Sequence, residues 1–223
     1  MNNEYNKILD NIPVIAQKPE LNKKYNTNQI KLEDILKINN SSNIYSDYVI
    51  EDLVKNILHI LDFDKTKPIP IVRIANAFAI DVFEVKNMPD EMLGNLFIGG
   101  NTKKFYNNDQ VIVVDNNISL PCQRFIIAFE IGIYLLNYFK HKNNSKKNKA
   151  FSNPYLLEQS IMQNLWAYNL AKELLAPMKI FKYEYAKIMK NSNYDKLYSI
   201  FYLAEIFKIT EDLVITRIND IFA

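Results

Sequence analysis

The stretch "RFIIAFEIGIYLLNYF", Arg124–Phe139, is apolar at almost every position, yet carries Glu130 in its middle. A carboxylate that stays charged and unpaired in such surroundings costs several kcal/mol. Three readings fit: a membrane segment, a buried glutamate with a partner, or the remnant of a site that once used it. The apolar run from Phe125 to Phe139 is shorter than the roughly 18–20 residues of a spanning helix. It is also interrupted by Glu130, so the pattern predicts a buried core helix and no membrane association.

The whole chain agrees with a globular reading. Its 223 residues are 48% hydrophobic and 23% charged, and a chain of this length buries on the order of 70% of its unfolded surface. One cysteine, Cys122, rules out an intrachain disulfide and suits a reducing cytoplasm. The opening "MNNEYNKILD" has neither the basic nor the apolar region of a signal peptide, so a cytoplasmic protein is expected. A net charge of +2 gives no bulk electrostatic case for nucleic acid. The cations are nearly all lysines; the arginines are Arg73, Arg124 and Arg217.

Outward from the central stretch, the hydrophobic period changes twice. Residues 1–45 read as a polar, Asn-rich arm with one short amphipathic piece, "NQIKLEDILKI", in which Ile30, Ile35 and Ile38 recur at near-helical spacing. Residues 46–223 form the expected domain. "SDYVIEDLVKNILHILDF" is a helix with Ile50, Leu53, Val54, Ile57, Leu58 and Leu61 on one face and Asp47 as a candidate cap. A second helix starts near Pro70. "DVFEV", "NLFIGG" and "QVIVVDN" then alternate with turn-rich segments, which predicts a small three-stranded antiparallel sheet. After Pro121 the pattern is helical: the Glu130 helix, a lysine-rich break "KHKNNSKKNK", a long helix stopped by Pro177, and a helical tail from about residue 179 with Thr210 as a cap. The fold class is therefore α+β, mostly helical.

That order, with two segments in it, resembles the ImmA/IrrE family of bacterial zinc metallopeptidases. The family's first long helix resembles "RFTIAHELGHYLL", matched by "RFIIAFEIGIYLL", Arg124–Leu136. The second resembles "E-x-x-A-N-x-F-A-A-E-L-L-M-P", matched by "NLWAYNLAKELLAP", Asn164–Pro177. The tail "YLAEIFKITEDLVITRI" resembles the family's "LAxxFxVSxxxVxxRL", and the likeness covers roughly residues 47–222. It implies a zincin-like minimal metallopeptidase fold with a helix-turn-helix-like tail.

The departure is at the chemistry. In H-E-x-x-H the two histidines share a helix face and one zinc, and the glutamate takes a proton from the metal-bound water. The resemblance places Phe129 and Ile133 at the two histidine positions and Asn164 at the third-ligand glutamate. It places Glu130, alone unchanged, at the general base. Substitutes are not apparent. His59, within the first helix, reads as a half-buried packing residue, and His141 lies in the lysine-rich break. Neither has a ligand at i+4, Cys122 has no sequence-local base, and Glu158 is six residues from Asn164. Phe129 and Ile133 in a once wet pocket would add roughly 1.5–3 kcal/mol of burial each. The chain is thus expected to need no cofactor and to be a pseudopeptidase, with Glu130 vestigial.

Active members resemble regulatory proteases that cut a helix-turn-helix repressor of a mobile element, phage or stress response. The resemblance implies for this chain a protein partner, such as a repressor or antitoxin, gripped in the old groove beside Phe97 and Ile98 of "NLFIGG". Two alternatives stand beside it: an active zinc endopeptidase using other ligands, and a DNA-binding regulator acting through the tail. Against the last, Glu211, Asp212 and Asp220 outnumber Arg217 on the candidate recognition helix, the wrong sign for phosphates.

Overall fold

The computed structural model describes residues 46–86, 88, 92–99, 102–143, 161–190 and 196–222. The arm over residues 1–45, with its amphipathic piece, and Glu158 lie outside the described residues. Helix α1 (Asp47–Ile60) buries Val49, Ile50, Leu53, Val54, Ile57 and Leu58, the face its period requires. Ser46 stands at its N-cap and Asp47 in its first turn, where a carboxylate favours the helix dipole. Helix α2 (Ile71–Ala77) follows directly on Pro70.

Strands β1 (Asp81–Val85), β2 (Gly94–Ile98) and β3 (Gln110–Asp115) form one sheet in the order β1-β3-β2, with the short helix α3 (Thr102–Tyr106) between β2 and β3. The sheet is mixed, which corrects the antiparallel expectation: β2 runs antiparallel to β3, but β1 runs parallel to it. The physical reason lies in β3. Val111, Ile112, Val113 and Val114 are all fully buried, so both faces of this strand are covered and it must be central. A meander would have left it at an edge.

Alternation then sorts the sheet residues between two cores. Phe83, Val85, Phe97, Val111 and Val113 pack with Tyr106 of α3, whose ring lies 4.8 Å from that of Phe83. Val82, Ile112 and Val114 face the main core with the helices. Helix α4 (Leu120–Asn143) crosses this face, holds Pro121 in its first turn, and runs on through His141. It crosses α5 (Ile161–Leu175) at Gly132, where an added Cβ would lie 2.9 Å from Ala167 Cα. Only glycine permits that approach.

The tail comprises α6 (Met178–Met189), α7 (Lys196–Phe207) and α8 (Glu211–Phe222), the last capped by Thr210 Oγ1, which accepts from the Leu213 N–H at 3.3 Å. A buried ion pair joins it to α5. One oxygen of Glu173 accepts from the Met178 N–H at 3.0 Å and so caps α6; the other accepts from Arg217 of α8. Arg217 also donates to Asp220 at 3.3 Å, and Lys172 pairs with Asp220 at 2.8 Å. Arg217 is therefore an interior cross-link of the tail. Among the described residues, no helix is long and apolar enough to cross a membrane.

Candidate functional site

Residues 129–133 lie on α4 where it passes β2. Two contacts set the spacing. An added Cβ on Gly94 would come 2.4 Å from Ile126 Cγ2, so β2 lies tight against α4; Gly132 does the same for α5. One turn on from Ile126, Glu130 is 7% exposed and takes a hydrogen bond from the backbone of Leu96, on the edge strand. Burial pushes its carboxyl up to about 8, against the smaller opposing effect of the Leu96 hydrogen bond. It is thus mostly protonated near neutral pH. The buried glutamate has a partner, and it is a backbone group.

The neighbours of Glu130 are apolar. Ile133 is buried, at 2% exposure, and Phe129 is half-buried against the main core. The Phe125 ring centroid lies 6.4 Å from that of Phe129 and 5.6 Å from that of Tyr168 on α5, in an edge-on contact with the latter. Phe125 and Phe129 are one turn apart, so the three rings make a continuous aromatic wall across the two helices. Asn164 is exposed, one turn before Ala167, and Leu165 and Ile161 beside it are 50% and 86% exposed.

These side chains do not suit zinc. Phe129 and Ile133 offer no donor atoms, Asn164 offers a neutral amide turned to solvent, and the one carboxylate is held protonated by its surroundings. Among the described residues, no group of three or more His, Cys, Asp or Glu is placed to hold a metal ion. His59 is not the packing residue its position in the sequence suggests: it is exposed and sits 3.0 Å from Asp64. Cys122 is partly buried in the first turn of α4.

The two strand positions separate. Phe97 is 7% exposed and packs beneath the sheet with Val111, Val113 and Tyr106, whereas Ile98 points to the other face and packs partly against the main core. A segment added at β2 would meet its backbone edge rather than the Phe97 ring.

Sequence reasoning missed the roles of Glu173 and Arg217, and of Arg124. Arg124 is buried at the start of α4 and donates through Nε to the Lys208 carbonyl at 3.0 Å and through Nη2 to the Ile69 carbonyl at 2.8 Å. It thereby fixes the N-terminal end of α4 to the end of α7 and to the segment before α2. The signal was present: in a chain that meets solvent with lysine, Arg124 and Arg217 stand in the interior, where one fork can satisfy several acceptors.

A comparison with curated proteins finds no match. The family model Peptidase M78, described as the IrrE N-terminal-like domain, matches residues 75–219. That span runs from α2 to α8, includes every element that shapes the site, and covers more than half of the chain: the protein belongs to the metallopeptidase-like IrrE N-terminal-like domain family.

Proposed function

We propose that this chain is a non-catalytic member of its family that acts by binding a protein partner in the groove between the edge strand β2 and helices α4 and α5. The observation that carries the reading is the set of residues around Glu130. Phe129, Ile133 and Asn164 stand where the resemblance assigns three zinc ligands; Phe129 joins Phe125 and Tyr168 in an aromatic wall, Ile133 is buried beside it, and Asn164 is exposed. Such a wall has no use for a polarised water. It suits the apolar side chain of a bound segment, and the edge strand beside it suits an extended backbone. The partner class that the family resemblance suggests is a helix-turn-helix repressor or another regulatory protein of a mobile element or phage. The protein's cytoplasmic location belongs to this same reading.

Two measurements test it together. Protein prepared without an affinity tag and dialysed should contain far less than one equivalent of zinc. Leu165→Asp, at an exposed position beside the aromatic wall, should weaken capture of a specific host protein by the full chain while far-UV CD stays unchanged. Stoichiometric zinc, or cleavage of a host repressor that stops with chelator, would overturn the proposal.

A further inference from the structure

A second concavity lies at the opposite edge of the sheet from Glu130. It is a cleft of about 230 Å³ between α2, β1, β3 and the start of α4. Its walls are largely aliphatic: Ile71 and Val72 from α2, Val82 from β1, Val114 from β3 and Ile127 from α4. The polar groups that reach it are unequal in charge. Two guanidinium groups, Arg73 and Arg124, line it against one carboxylate, Glu84. Arg73 lies 4.7 Å over the ring of Phe63.

Arg124 sets the cleft's chemistry. Its Nε and Nη2 are taken by the carbonyls of Lys208, Ile69 and Phe207, which leaves Nη1 as the guanidinium nitrogen that donates to no acceptor among the described residues. Carbonyl oxygens bring no negative charge. Arg124 is 9% exposed, and burial lowers its pKa to about 10, with no anion opposing that effect. A largely buried cation held by neutral acceptors, with a donor left over at an aliphatic cleft, is complementary to an anion with an apolar body. The volume, about that of eight waters in the liquid, limits the ligand to a small molecule.

We propose that this cleft is a binding site for a small apolar monocarboxylate, held by Nη1 of Arg124 with its hydrocarbon part against Val72, Val82, Val114 and Ile127. The site is separate from the partner-binding groove and does not depend on it.

The test uses the full chain and hexanoate, with hexanamide, hexylamine and inorganic phosphate as comparison probes, followed by amide NMR shifts. Hexanoate should move the amides of Val72, Val82 and Val114 in a saturable way. Hexanamide should bind about tenfold more weakly or worse, having lost the charge-assisted hydrogen bond. Replacing Arg124 risks unfolding, so the decisive variants are at Leu120, which is 57% exposed at the cleft wall. Leu120→Glu should weaken hexanoate at least about tenfold more than Leu120→Gln does, by placing a like charge beside it. Equal binding of hexanoate and hexanamide overturns the proposal, as does preference for hexylamine or for phosphate alone. So does an unchanged affinity in Leu120→Glu, or shifts scattered over the surface with none at the cleft.

Discussion

Glu130→Gln separates a neutral buried carboxyl from a charged structural one. With a folded pKa of about 8 against an ordinary value of 4.5, Glu130 holds its proton more tightly in the folded state than in the unfolded chain. Below about pH 4.5 both states are protonated and the residue contributes no pH dependence. Between 4.5 and 8 the unfolded chain releases the proton while the folded one keeps it, so stability falls as pH rises; above 8 both are ionised and the loss levels off. At 1.36 kcal/mol for each pH unit, this amounts to about 3 kcal/mol by pH 7 and to an upper bound of about 5 kcal/mol beyond pH 8. Glutamine keeps the shape and an oxygen for the Leu96 backbone, and does not titrate. Near pH 5 the variant should therefore differ from the parent by less than about 1 kcal/mol. By pH 8 it should be the more stable protein by several kcal/mol, within the upper bound above. Urea unfolding followed by far-UV CD, at pH steps from 4.5 to 9, gives both curves, and their difference cancels the groups they share. A difference that stays flat across the range, or a variant less stable than the parent at pH 8, would show that the carboxylate is charged and paired, and the account of Glu130 would be wrong.

The Glu173–Arg217 pair should behave in the opposite sense. Glu173→Ala leaves a guanidinium buried without its main partner and uncaps α6, and should cost about 3–5 kcal/mol in urea melts; Glu173→Leu with Arg217→Met should recover most of it, since replacing both partners removes both desolvation costs. Rebuilding the family's ligand set with Phe129→His, Ile133→His and Asn164→Glu should create measurable zinc affinity, read by competition with a chromophoric chelator, at a stability cost of roughly 1–3 kcal/mol for each apolar side chain removed. A folded triple variant without zinc affinity would count against placing the ligand positions at 129, 133 and 164, or show that the groups needed to orient the ligands are missing as well.

Much of the architecture was legible because it rests on period. The buried face of α1, the start of α2 after Pro70, the Thr210 cap and the stop at Pro177 are each local rules obeyed locally. Sheet order was not legible in the same way. Three short strands with turn signals read as an antiparallel sheet, and only the unbroken run Val111–Val114 gave notice of a central strand covered on both faces. His59 failed for a related reason. It sits among apolar residues in the sequence, but the helical period carries it to the exposed side, where it meets Asp64. At the site, the identities at positions 129, 130, 133 and 164 could be read directly, since a motif is a statement about spacing. The partner of Glu130 could not be, because it is a backbone group on a strand distant in sequence, and no side-chain pattern encodes it.

Glu130 and the apolar residues around it form one physical set. A carboxylate beside two histidines and a metal is in a wet, strongly polar place and stays ionised. Put phenylalanine and isoleucine on either side of it and its surroundings lose both water and counter-charge, so the proton returns and the group becomes a hydrogen-bonding acid on the Leu96 backbone. It then joins α4 to the edge strand, much as Gly94 and Gly132 admit β2 and α5 against the same helix. A neutral Glu130 therefore leaves no unpaired charge in the interior where α4 passes β2. The proposal of partner binding rests on this point: beside a neutral Glu130, the rings of Phe125, Phe129 and Tyr168 offer shape and apolar contact rather than a second chemistry.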